Sequence, residues 1–450
     1  MREIFKKTML AASCAAALGG INTTVQAADW LSVQGTEEHG TAGRAKVWGF
    51  IQAQYQSDNS KPNGAGTYVP PKLIGPDLDS QEAFNVNRAR IGVRGTGMPI
   101  DPNVNYFFLV EFGNNAITNP GNGFAKVTDA SITLNHLKEY ARVRAGQFKI
   151  PMAEEVYQGI ALIDYVNFTD GVNQMLLERV PNRAYTGNVA PQPIGSTTSL
   201  NAFNQSIDAA RDVGVQVFNT FNVAPGWEAS YSVMVGNGNG INSSDNDNAK
   251  DYHLYFSTAK VFKGTGPRRQ DWKTFAWYTN GDRHIDGNND GVTEEYERKR
   301  YGVGSRYLKL PFRVAVEWIK AEGVIFQGPD KPSFGLLPPS IGNPNHPANG
   351  LNPNAEASQW SVDLGYYIPN TKWELDLRYA DYTRMEDSIA EFDWTAITLG
   401  VQYHFNKKTR LTVNVTDRDV EATAFAAGAG PNANLDGIDK RYAVQLTHIF

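Results

Sequence analysis

Arginine recurs at alternate positions in three separate stretches of this 450-residue chain: Arg88, Arg90 and Arg94, then Arg142 and Arg144, then Arg298, Arg300 and Arg306. Apolar residues take the other parity: Ala89, Ile91 and Val93 in the first stretch, Ala141, Val143 and Ala145 in the second, Tyr301, Val303 and Tyr307 in the third. Side chains two apart share one face of a strand, so each stretch reads as a strand with a cationic and an apolar face. A guanidinium keeps its charge and grips phosphate or carboxylate through paired hydrogen bonds. Rows of arginine facing water in a pore could therefore select anions. They could equally pair with carboxylates across the wall or on a loop, or simply be solvated.

Other chemistry is sparse. DGNNDGVTEEYE (286–297) has the spacing of a calcium loop, with Asp286, Asn288, Asp290, Gly291 and Glu297 in place. It lies between two strand candidates, where Asn/Asp/Gly runs are ordinary turn chemistry, so bound Ca²⁺ is the lesser reading and no cofactor is required. The seven histidines show no ligand spacing, and no Ser/His/Asp arrangement can be read. An enzyme is not expected.

The elements that would position the arginines are strands throughout. Candidates run at 44–56, 84–95, 103–113, 127–135, 139–148, 211–220, 227–236, 250–261, 271–279, 296–309, 311–320, 358–368, 371–380, 393–405, 409–418 and 438–450, an even sixteen. The alternation is plain in Trp373, Leu375, Leu377 and Tyr379 against Glu374, Asp376 and Arg378. Lengths near ten suit tilted strands crossing a bilayer. Connections alternate too: Pro369–Asn370 and Asn406–Lys408 are brief, whereas Lys149–Ala210 and Ala321–Ala357 are long. Tight turns on one side and long loops on the other mark an outer-membrane barrel, an all-β, 16-stranded antiparallel transmembrane fold. Backbone groups in hydrocarbon must all be paired, so the last strand, ending RYAVQLTHIF, must close on the first.

The amino-terminal stretch gives the route. Arg2, Lys6 and Lys7, the apolar run Met9–Leu18 and Val25-Gln26-Ala27 read as a cleaved leader over 1–27, which contains the sole cysteine, Cys14. Residues 28–43 are expected as a short periplasmic segment and 44–450 as the barrel. The net charge of −5, with no basic tract, argues against nucleic acid as a partner.

NRARIGVRGT (87–96), YFFLVEFG (106–113), VTDASITL (127–134), RVRAGQFKIP (142–151) and LLERVPNRAY (176–185) together resemble the phosphate-selective porin O/P family. The resemblance implies a trimeric outer-membrane porin whose long third loop folds inward to narrow the pore. It also implies that the terminal Phe450 is recognised by the barrel-assembly machinery, with lipid and lipopolysaccharide around the barrel. Two positions depart from the family's pattern: Phe50 stands where an arginine is expected, and Asn87-Arg88 where two arginines are. The third connection, 149–210, carries Lys149, Arg179 and Arg183 against Glu154, Glu155, Asp164, Asp170, Glu178 and Asp208, which is not a phosphate trap. The expectation is a water-filled channel for small hydrophilic solutes, anions such as phosphate among them, in the cell outer membrane. Residues 149–183 are expected in the lumen, with Glu154, Glu155, Asp164 or Glu178 near Arg88, Arg90, Arg142 and Arg144. A surface receptor or adhesin, or a barrel enzyme, is the alternative.

Overall fold

Strict alternation with apolar residues on one parity forces a sheet that is greasy on one side and polar on the other, and closing that sheet decides which side meets lipid. The computed structural model describes residues 31, 34, 45–60, 82–97, 100–115, 117–119, 124–177, 179–181, 203–206, 210–242, 244–245, 247–264, 268–285, 294–326, 351–388, 391–428 and 432–450. The leader at 1–27, Glu178, Arg183, Asp208 and the first eight residues of the 286–297 loop lie outside these. Arg179 is described by its backbone alone.

Sixteen antiparallel strands close into one barrel. In chain order they are β1 (Lys46–Asp58), β2 (Glu82–Gly97), β3 (Asp101–Glu111), β4 (Lys126–Leu134), β5 (Arg142–Lys149), then β8 (Arg211–Ala224), β9 (Trp227–Gly236), β10 (Asp251–Lys263), β11 (Gln270–Ile285), β12 (Glu294–Lys309), β13 (Phe312–Phe326), β14 (Leu351–Tyr367), β15 (Trp373–Arg384), β16 (Phe392–His404), β17 (Thr409–Glu421) and β18 (Arg441–Ile449). Between β5 and β8, the short β6 (Arg179–Pro181) and β7 (Phe203–Ser206) pair with each other outside the barrel sheet.

Closure pairs β1 with β18, from Phe50 opposite Ile449 to Asp58 opposite Arg441. The Phe450 amide donates to the Gly49 carbonyl at 3.0 Å, so the terminal residue still belongs to the seam. Gly49 has no room for a side chain: a Cβ would lie 2.5 Å from the Phe450 ring and 2.2 Å from the Arg90 carbonyl oxygen.

Burial is inverted relative to a water-soluble protein. On β15 Trp373, Leu375 and Leu377 are exposed while Glu374, Asp376 and Arg378 are buried. Several strands run further than the alternation reaches, notably β13 to Phe326 and β14 from Leu351. On β13 the register with β14 slips between Gly323 and Ile325, after which Val324 and Ile325 are both buried and strict alternation no longer marks the strand.

Candidate functional site

The inward parity of the strands and residues 150–177 together make up the charged interior. The arginines nearest the root of that segment find partners in the wall. Arg90 bonds Glu111 on β3 at 2.7 Å and Thr118 at 3.2 Å, with its guanidinium 5.6 Å from the Phe50 ring. Phe50 thus occupies the position of the expected arginine as an aromatic floor under Arg90. Arg88 donates to Gln52 on β1 at 3.1 Å. The register slips by one residue beside Gln52, so Asn87 bulges and both Asn87 and Arg88 are buried. Arg94 lies over Trp48, and Arg142 donates to Asn135 and Asn219. Arg144 donates to Gln216 and Thr133, and to the carbonyls of Leu31 and Gln34. On β12, Arg298 lies 3.9 Å from Asp251, and Arg300 donates to the Met175, Lys299 and Glu322 carbonyls.

Residues 150–177 leave β5 and run to the far wall. Lys149 ties the root by donating to the Val156 and Gln158 carbonyls, both at 2.6 Å. A four-residue helix, Glu154–Tyr157, then delivers two carboxylates in succession. Glu154 pairs with Lys273 on β11 and Arg306 on β12, and Glu155 with Arg378 on β15 at 2.7 Å. Asp164 sits among three arginines: Arg268 before β11, Arg313 on β13 at 3.2 Å and Arg410 on β17 at 3.8 Å. Further on, Thr169 accepts from Gln359 on β14, whose carbonyl oxygen takes the Gly171 amide at 2.8 Å. Tyr157 packs on Tyr255, and Met175 and Leu176 join the same apolar cluster with Phe275, Trp277 and Ile319.

The pairing expected from the sequence is therefore corrected. Glu154, Glu155 and Asp164 do not meet Arg88, Arg90, Arg142 or Arg144; their cations come from β11–β17 and the turn before β11. Among the described residues, Arg306 is the one of the eight arginines read from the sequence that is ion-paired to this segment, while Arg300 holds it through the Met175 carbonyl. The physical reason is that a segment spanning a barrel meets the wall opposite its root, and the root-side cations already have partners on adjacent strands.

Lys273, Arg268, Arg313, Arg378 and Arg410 lie outside the runs of arginine at alternate positions that mark the other eight. Arg378 carried a readable signal, since it shares the polar parity of β15 with Glu374 and Asp376. Arg313 and Arg410 stand singly near the starts of their strands, with no such run to mark them.

Electrostatics follow the geometry. Burial alone would make Asp164 hold its proton, but Arg313, Arg268 and Arg410 outweigh it and keep the carboxyl well below the usual range. Burial is likewise outweighed at Glu154 by Lys273 and Arg306. At Glu155 burial prevails over Arg378, and the carboxyl is raised. A cavity of about 60 Å³ opens among these groups, lined by Glu154, Glu155, Asp164, Arg306, Arg313 and Arg378 with others.

An apolar outer face around a charged interior, closed with no free sheet edge, defines a membrane channel of the outer-membrane barrel class. The chain belongs to the Gram-negative porin family, whose sequence profile matches residues 8–423. Among solved structures it is similar to Salmonella typhi OmpF in complex with daunomycin, with a TM-score of 0.53 at 14% identity over 90% of this chain and 97% of that one. It is also similar to Vibrio cholerae OmpT lacking loop L8, with a TM-score of 0.50 at 14% identity over 91% and 100% of the two chains. No curated protein matches it.

Proposed function

We propose that this porin is a general-diffusion channel of weak ionic selectivity, with residues 150–177 forming its constriction. The observation that carries the reading is the charge match around Asp164. Arg268, Arg313 and Arg410 meet three carboxylates, those of Asp164, Glu374 and Asp376. A phosphate-selective pore needs guanidinium groups whose charge is not already met. Here the segment brings its own anions to the arginines, which speaks against phosphate specificity even with the resemblance to the O/P porins. The test is the reversal potential of the wild type across a planar bilayer in a potassium chloride gradient. A value near zero fits the proposal, and a strong chloride preference overturns it.

We also propose a homotrimer. Among the described residues the tryptophans exposed on the outer face are Trp227, Trp272, Trp318, Trp360 and Trp373, all on β9–β15. Trp and Tyr gather where a wall meets the lipid–water interface. The sector β16–β18 and β1–β8 lacks that tryptophan belt and offers small residues such as Ala89, Ala130 and Ala145 to a neighbouring copy. Cross-linking of outward cysteines placed on β1–β4, read on unheated gels, should give trimers. The same cysteines on β11–β14 should not.

A further inference from the structure

Leu31 and Gln34 precede the barrel by more than ten residues, yet both are buried against its inner wall. Leu31 is fully enclosed within the cluster that holds Phe148 and Phe218. These rings point inward, because Ala145 on β5 and Val215 and Val217 on β8 are exposed on the other parity. Gln34 is also buried and donates from Nε2 to Asp129 Oδ1 on β4 at 3.0 Å. The second oxygen of Asp129 accepts from Arg211 on β8 at 3.2 Å. The carbonyls of Leu31 and Gln34 both accept from Arg144 Nη2.

Arg144 is the centre of this arrangement. It is 1% exposed, its guanidinium lies 4.3 Å from the Phe218 ring, and its remaining donors go to Gln216 and Thr133. Two backbone carbonyls thus converge on one buried cation, which holds both residues to the wall. Withdrawal of Leu31 and Gln34 would strip Arg144 of two acceptors and Asp129 of one donor inside the barrel, which opposes release.

We infer that Leu31 and Gln34 are pore elements: they dock in the lumen on β4, β5 and β8 and narrow the passage on the root side of residues 150–177, which are themselves held to the far wall. On this inference Leu31 and Gln34 lie inside the barrel, within the stretch 28–43 that the sequence leads one to expect as a periplasmic segment. The inference rests on the channel reading for its effect on current but not for the docking itself, so two measurements separate them.

Docking is read by a short bis-maleimide reagent on a Gln34→Cys, Asp129→Cys variant of the full chain, whose sole native cysteine is Cys14. A cross-link is expected for this pair and not for Gln34→Cys with Ile132→Cys, which faces outward. Equal reaction of both pairs, or of neither, overturns docking. Current is read on a variant lacking 28–43. Should that chain fail to fold, Leu31→Ala with Gln34→Ala leaves every barrel residue in place. Larger single-channel current than wild type is expected, and unchanged current with the cross-link intact overturns the role in narrowing the pore. A wild type that passes no current would sink the channel reading while the cross-link still reports on docking.

Discussion

Among the described residues, the arginines on β1–β5 make no ion pair with residues 150–177 and are bound to wall strands, to Thr118 or, at Arg144, to Leu31 and Gln34; on β12–β15, Arg306, Arg313 and Arg378 are bound to both the wall and that segment. Arg90 meets Glu111 on the next strand, and Arg88 meets Gln52 on the strand before. Across the barrel, Arg313 holds Glu374 and Asp376 of β15 while also reaching Asp164, and Arg378 holds Asp363 of β14 while also reaching Glu155. The same residue type thus does two jobs. Pairs of the first kind fix strand to strand. Pairs of the second fix the position of a segment inside the pore, so their charges meet passing ions.

The largest effect expected from this contrast is on stability, at the near wall. Glu111→Ala leaves Arg90 buried beside Thr118 and the Phe50 ring without its carboxylate. Breaking one side of a buried pair costs about 3–5 kcal/mol. Urea unfolding in detergent should show that loss, with the reversal potential of the surviving channels unmoved. A change in selectivity without a change in stability would reverse the roles assigned to the two walls.

Next in size is a change of selectivity at the far wall. Asp164→Asn leaves three guanidinium groups facing two carboxylates, so chloride permeability over potassium should rise clearly above wild type. The shift should shrink at high salt, where charges separated by more than a few ångströms are screened. Unaltered permeability in Asp164→Asn would place the constriction elsewhere.

The strands were legible because a barrel wall imposes one rule on every residue: one parity to lipid, the other inside. Trp373 through Tyr379 obey it, and closure through Phe450 followed from the need to pair every backbone group. What alternation cannot encode is which inward cation faces which loop carboxylate, because that depends on where a segment lands after crossing the lumen. Arg378 was visible on its polar parity, but its partner Glu155 lies far off in sequence. The end of β13 escaped because its register slips between Gly323 and Ile325, after which consecutive residues are buried together. Leu31 and Gln34 carried no signal, for Arg144 binds their backbone carbonyls, which any residue presents, and Asp129, Phe148 and Phe218 lie far off in sequence.

Acid should act on the far wall in two stages. Burial raises the Glu155 carboxyl above its ordinary value of about 4.3, Arg378 opposing. Its contribution to stability is therefore fully present below about 4.3 and is lost as pH rises through the raised folded value. Mild acid thus neutralises Glu155 without loosening the segment, and selectivity should drift modestly towards anions. Asp164 behaves in the opposite sense. Its folded value is depressed, so its contribution is present above about 3.9 and is lost as pH falls through that lower value. Reversal potentials between neutral pH and about 4.3 should show the drift in wild type and its absence in Glu155→Gln; a drift of equal size in both would assign it to another group.

The smallest effect should come from the arginines that the sequence marks most clearly. Among the described residues, Arg88→Ala removes a guanidinium that donates to Gln52, and Arg142→Ala one that donates to Asn135 and Asn219, all three wall or turn residues. Residues 150–177 take their ion pairs elsewhere, so the field at the constriction should change little. The permeability ratio of chloride to potassium in either variant should stay close to wild type, well short of the change in Asp164→Asn. Were a strong anion preference found in wild type and lost on either substitution, the near wall would line the narrowest point. The arginines bound wall to wall would then be the ones that select.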